Sequence, residues 1–129
     1  MMGDAGRADP AEPVDVSLVQ LISAPERFRG KLVRFSGFVA SEHEGDAAYL
    51  YREDYEELLT RNGIWLDWNE SVAAKPEGAA YAIVEGTFDP DSGGHMALYS
   101  GTLRRIVRCA RLPHLRGAQG SGGESGVRQ

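Results

Sequence analysis

Between Lys31 and Ala40 the sequence KLVRFSGFVA places Val33, Phe35, Gly37 and Val39 on one side of an extended chain, with Arg34 and Ser36 on the other. That is the two-residue period of a strand with one face against a core. The design recurs at Ala80 to Phe88, AYAIVEGTF. Each stretch carries a glycine on its apolar face, Gly37 and Gly86, with a large aromatic close behind it, Phe38 and Phe88. Glycine at such a position permits a bulge or a corner, so both strands are expected to bend sharply. Bent apolar strands predict a small β-barrel, closed or nearly so.

Around these strands the periodicity changes twice. Leu18, Leu21 and Ile22 stand at the spacing of one helical face, and Asp15 or Ser17 can cap a helix over Ser17 to Ser23. Pro25 breaks that helix, Pro25 to Phe28 reads as one further turn with Phe28 inward, and Gly30 supplies a left-handed residue before the first strand. A helix so placed is expected to plug one barrel end. After the polar turn SEHEGD, Ala47 to Tyr51 returns as a short strand and completes a hairpin. Arg52 to Thr60 then takes helical spacing, with Tyr55, Leu58 and Leu59 on one side and Glu53, Asp54, Glu56 and Glu57 toward solvent or the helix start. Asn62-Gly63 ends it. Ile64 to Trp68 alternates again, with Ile64, Leu66 and Trp68 inward and Trp65 outward. A loop over Asn69 to Gly78 leads into the second glycine strand, the turn DPDSGG follows, and Met96 to Cys109 forms the last strand with a bend at Gly101. The predicted fold class is mainly β: a small five-stranded OB-like barrel with an N-terminal helix and one inserted helix.

Composition narrows the picture. The chain has 129 residues, 42% hydrophobic and 26% charged, which suits one domain. Residues 1–13 and 113–129 are read as disordered tails around a folded unit of residues 14–112, because they are rich in Gly, Ser, Ala, Asp and Pro and poor in groups to bury. The formal net charge of -5 argues against a partner held mainly through phosphates. One cysteine, Cys109, allows neither an internal disulfide nor a multi-cysteine metal site. The opening MMGDAGRADPAEPVDV lacks the apolar run of a secretion signal and no stretch is long and apolar enough to span a membrane, so a cytoplasmic protein is expected.

The run Val16 to Ala40 resembles the opening of an uncharacterised group of small bacterial OB-like domains, through Leu21, Ile22, Pro25, Phe28, Gly30, Lys31, Val33 and Gly37. Asn62-Gly63-Ile64-Trp65-Leu66, Val84 to Phe88, Gly94-His95-Met96 and Ser100-Gly101 extend the resemblance. These residues are mostly glycines and core aromatics. The resemblance implies a fold, and no catalytic residue is carried over from it.

Chemistry-bearing residues concentrate in two loops, Glu42, His43, Glu44 and Asp46 in one and Asp89, Asp91 and His95 in the other. In an OB-like barrel these two loops flank the usual binding face and are expected to rise from one end. Their carboxylates and histidines could hold a divalent metal, yet DPDSGG lacks the downstream glutamate of a calcium loop, and solvated turns shaped by Asp and Gly account for the same residues. His95 has no evident nucleophile to activate, and its bland role is to hydrogen-bond its loop. Ser36 and Ser100 sit in strands without a nucleophile elbow, and Cys109 is read as packed. Tyr49, Tyr51, Trp65, Tyr81 and Tyr99 include candidates for an exposed aromatic face, which can stack bases, close a barrel or anchor a partner. Arg104, Arg105, Arg108 and Arg111 form a positive cluster that also fits a charged edge strand. The expectation is a non-enzymatic binding module, without cofactor, whose partner is another protein, possible forms being an immunity or inhibitor protein. The binding residues expected are Glu42, His43, Glu44, Trp65, Asp89, Asp91, His95 and Tyr99. The alternatives are a single-stranded nucleic-acid binder and a metal-dependent enzyme.

Overall fold

The computed structural model describes residues 12–41 and 46–113. Five strands close into a ring: β2 (Leu32–Ser41), β3 (Ala47–Tyr49), β4 (Gly63–Leu66), β6 (Thr102–Arg111) and β5 (Gly78–Asp89), the last returning to β2. A two-residue strand, β1 (Val14–Asp15), adds in parallel beside Val33 and Arg34 of β2. The β4–β6 contact is parallel, with Trp65 opposite Thr102, and the other barrel pairings are antiparallel. This order, with a parallel contact between the third and fifth barrel strands, is that of an OB-like barrel. One helix precedes the barrel, α1 (Leu18–Ser23), and one is inserted after β3, α2 (Arg52–Glu56).

Residues predicted inward from the period of two are inward. Val33, Phe35 and Val39 of β2, Val84 and Phe88 of β5, and Ile64 and Leu66 of β4 are buried in one core. Helix α1 adds Leu18 and Leu21 to that core, and the 3₁₀ turn Pro25–Phe28 adds Phe28, so the N-terminal segment packs its apolar face onto the barrel core. Its start is set by Ser17, whose Oγ accepts from Gln20 N while Gln20 Oε1 accepts from Ser17 N. Gly30 takes φ 73, and the chain enters β2 through bonds between Gly30 N and Phe88 O and between Phe88 N and Lys31 O.

Gly37 and Gly86 are required by close approach. A Cβ on Gly37 would lie 2.9 Å from Leu18 Cδ1 and 2.9 Å from the Tyr49 carbonyl oxygen; one on Gly86 would lie 2.8 Å from Leu103 Cγ. At Gly86 the ladder also slips. Glu85 faces Arg108 and Thr87 faces Arg104, so β6 bulges by two residues, and Arg105 within the bulge has φ 47.

Several expectations change. The inserted helix stops at Glu56 instead of Thr60, followed by a 3₁₀ turn over Thr60–Asn62, because Leu58 turns left-handed and returns the chain toward β4. Leu58 and Leu59 are consequently exposed, while Asp54 is buried: its Oδ2 accepts from Tyr51 N and its Oδ1 from Asn62 Nδ2. The last strand begins at Thr102, not Met96; His95–Ala97 is a 3₁₀ turn, and Leu98 is exposed while Leu103 and Ile106 fill the core. Strand β6 lies between β4 and β5, so its arginines do not guard an edge. The predicted tails, residues 1–13 and 113–129, fall almost wholly outside the described residues.

Candidate binding face

Beyond residue 36 the one-faced pattern of β2 fails, and Gly37, Phe38, Val39 and Ala40 are all buried. A second cluster on the outside of the barrel is the cause. Phe38, Ala47, Tyr49 and Tyr99 are buried there, with Tyr55, Trp65, Ala79 and Tyr81 packed against them. Tyr55 of α2 comes within 5.6 Å of Phe38 and 5.7 Å of Tyr49, ring centre to ring centre. Tyr99 arrives from the β5–β6 connection and lies 5.4 Å from Trp65 and 6.1 Å from Tyr49. The two phenol oxygens of Tyr49 and Tyr99 are 3.1 Å apart, and burial followed by this hydrogen bond drives the Tyr49 phenol far above its ordinary pKa. At 6% exposure Tyr99 is part of the packing, which corrects its reading as an exposed aromatic; Tyr49 is corrected likewise.

Trp65 is half-buried on the outer face, as its alternation predicted. His95 stacks on it at 6.1 Å with the ring planes 25° apart. The chain reaches this position through Gly94, at φ 66 and ψ -145, where a Cβ would stand 2.2 Å from Trp65 Cγ. Met96 and Ala97 follow, both at φ 55. Trp65, His95 and Tyr99 are therefore brought together by β4 and the β5–β6 loop.

The predicted acidic residues behave differently. Asp91 is held by Arg29, which also binds Glu26, and hydrogen bonding from that guanidinium lowers the Asp91 pKa. Asp89 Oδ2 accepts from Arg104 Nε at 2.9 Å, and Arg104 Nη1 donates to Asp67 at 2.8 Å, so one guanidinium ties the end of β5 to the segment after β4. Both aspartates are thus engaged in the fold. Glu42, His43 and Glu44 lie outside the described residues; the Asp46 that follows them binds Lys75 at 3.0 Å. The two loops do not leave one end of the β2–β5 ladder: Ser41 pairs with Gly78 and Leu32 with Thr87, which sets them at opposite ends. Strand β4 brings them closer, since Trp65 is paired with Ala47 and also meets Gly94.

Of the arginine cluster, Arg104 and Arg108 are ion-paired, Arg108 with Glu85 at 3.0 Å. Among the described residues no group of three or more His, Cys, Asp or Glu side chains is arranged to hold a metal ion. Cys109 is half-buried, and burial pushes its thiol pKa up.

The sequence pattern missed the residues that border this face. Leu58 and Leu59 follow α2, and Met96 and Leu98 flank His95 and Tyr99; all four are exposed. Arg61 Nη1 donates to Tyr99 O and Ser100 Oγ donates to Arg61 O, so the two segments are stitched together beside the aromatic cluster. Helical periodicity had placed Leu58 and Leu59 inward. No protein-family model matches the chain, and no match is found among curated proteins or solved structures.

Proposed function

We propose that the protein is a non-enzymatic OB-like binding module that takes up another protein on its outer aromatic face. The observation that carries this reading is the pair of exposed apolar borders, Leu58-Leu59 and Met96 with Leu98, on segments joined by hydrogen bonds beside a packed aromatic cluster. Rigid rings with exposed aliphatic groups around them are the composition of a protein-contact centre. Base stacking is less well served. Trp65 already contacts His95 and Tyr99, and Arg104 and Arg108 already serve carboxylates, whereas strand binding calls for free ring faces along a positive groove. An inhibitor or immunity protein is one form such a module takes.

The test is a photo-crosslinking amino acid at position 98, with position 72 on the 69–77 loop as control, in cells of the native host. A discrete protein adduct from position 98 and none from position 72 is expected. Adducts only to nucleic acid, or equal adducts from both positions, overturn the reading.

A further inference from the structure

We propose that Leu58 and Met96 are the anchor side chains of this face, and that the partner presents a basic surface guided to them by Glu53, Glu56 and Glu57. The inference rests on the protein-binding reading and names the chemistry of the partner.

The first argument is the backbone at the two anchors. After α2, Leu59 N bonds Asp54 O at 2.8 Å and Leu58 N bonds Tyr55 O at 3.1 Å. This is the Schellman closure of a helix, and Leu58 occupies its left-handed position at φ 56, where glycine is the usual residue. A side chain there is strained by contact of its Cβ with the following carbonyl. Burial would offset that strain, but Leu58 is 70% exposed. Met96 repeats the combination, with φ 55 and 75% exposure. Large apolar side chains that are both strained and solvated contribute little to the fold. Backbone strain of this kind collects at binding sites, where the side chain's contribution comes from the partner.

The second argument is the distribution of charge. Asp15, Glu26, Asp46, Asp67, Glu85, Asp89 and Asp91 are each within ion-pair distance of an arginine or lysine. Glu53, Glu56 and Glu57, all exposed on or next to α2, have no such partner among the described residues. The nearby arginines are engaged with the aromatic cluster, Arg52 over the Phe38 ring and Arg61 on Tyr99 O. Glu12, Glu70 and Glu77 are likewise exposed and unpaired among the described residues but stand singly along the chain. Asp89 and Asp91 at the β5–β6 loop are already paired, whereas Glu53, Glu56 and Glu57 gather next to Leu58. A basic surface complements them. A second copy of this chain would bring two sets of the same glutamates to one interface, which like-charge repulsion opposes.

The probes are two amphipathic 18-residue helices of Lys and Leu or of Glu and Leu, titrated into the full chain while backbone amides are followed by NMR. The Lys/Leu helix should shift the amides of residues 53–59 and 95–99, and the Glu/Leu helix should not. Leu58→Gly and Met96→Gly should each weaken that binding tenfold or more, while favouring the folded state about two- to fivefold by release of strain. Replacing the three glutamates by glutamine should weaken binding at low salt and flatten its salt dependence. A less stable Leu58→Gly protein overturns the anchor argument. Equal binding of both helices at this face overturns the basic partner while leaving protein binding intact. Shifts confined to other surfaces, or none, overturn both, and a dimer in sedimentation makes the second copy the occupant.

Discussion

Replacing Gly37 probes how tightly the N-terminal helix is pressed onto the barrel. Its added Cβ would meet two different neighbours at 2.9 Å: Leu18 Cδ1, the end of a side chain that can rotate, and Tyr49 O, part of the β3 backbone that cannot. Relief therefore requires β2 and β3 to separate by several tenths of an ångström where Phe38 faces Tyr49, disturbing the outer cluster as well as the core. Overpacking of this kind costs about 1–3 kcal/mol, so Gly37→Ala should lose about 2 kcal/mol and Gly37→Val more. With a urea slope of about 1 kcal/mol/M for a domain of this size, the midpoint of Gly37→Ala should fall by about 2 M. The Leu18→Ala change alone removes a buried side chain and should cost about 2–5 kcal/mol. Combined with Gly37→Ala it should cost less than the sum, because the Leu18 clash is gone and only the Tyr49 carbonyl remains. Urea denaturation of the two single variants and the double variant measures this. Wild-type stability for Gly37→Ala, or full additivity in the double variant, would refute the close-approach argument.

At Gly94, alanine has neither the backbone region nor the space, and Gly94→Ala should detach the loop from Trp65 at a loss of about 1–3 kcal/mol. A red shift of Trp65 emission in a Trp68→Phe background reports the detachment; unchanged emission and melting speak against it. Hydrogen bonds from Arg34 and Arg29 lower the pKa values of Asp15 and Asp91, so their contribution is present above about pH 4 and is lost as pH falls through the lowered folded values. Double replacement by asparagine should therefore shrink the drop in urea midpoint between about pH 6 and about pH 3, and an undiminished drop would place the acid sensitivity elsewhere. Cys109, whose thiol is disfavoured from ionising by burial, should react with an aromatic disulfide about tenfold or more slowly in the folded protein than in urea, and equal rates would show it to be open to solvent.

Those strands with one face on the core, β2 up to Ser36 and β5, were legible because a two-residue period directly reports which side leaves water. The glycines at 37 and 86 were legible as points of constraint: the ladder does bulge at Gly86, as a glycine there suggested, and the structure adds close approach at both. The capped helix, its apolar face and Gly30 were also local signals, each written within a few consecutive residues.

What the chain could not show in one dimension was the far side of the barrel. Tyr49, Tyr55, Tyr81 and Tyr99 bury an outer face only because α2 and the β5–β6 loop arrive there, and no local period encodes a meeting of segments so distant in sequence. The same holds for charge: Arg29 reaches Asp91 across 62 positions, and Arg104 reaches Asp67 across 37, turning apparent acidic and basic clusters into internal ties. Leu58 and Met96 are apolar letters in apolar-looking stretches, so sequence alone assigned them to helix packing and strand alternation. Only the folded backbone, left-handed at both and carrying both side chains into solvent, separates them from the core.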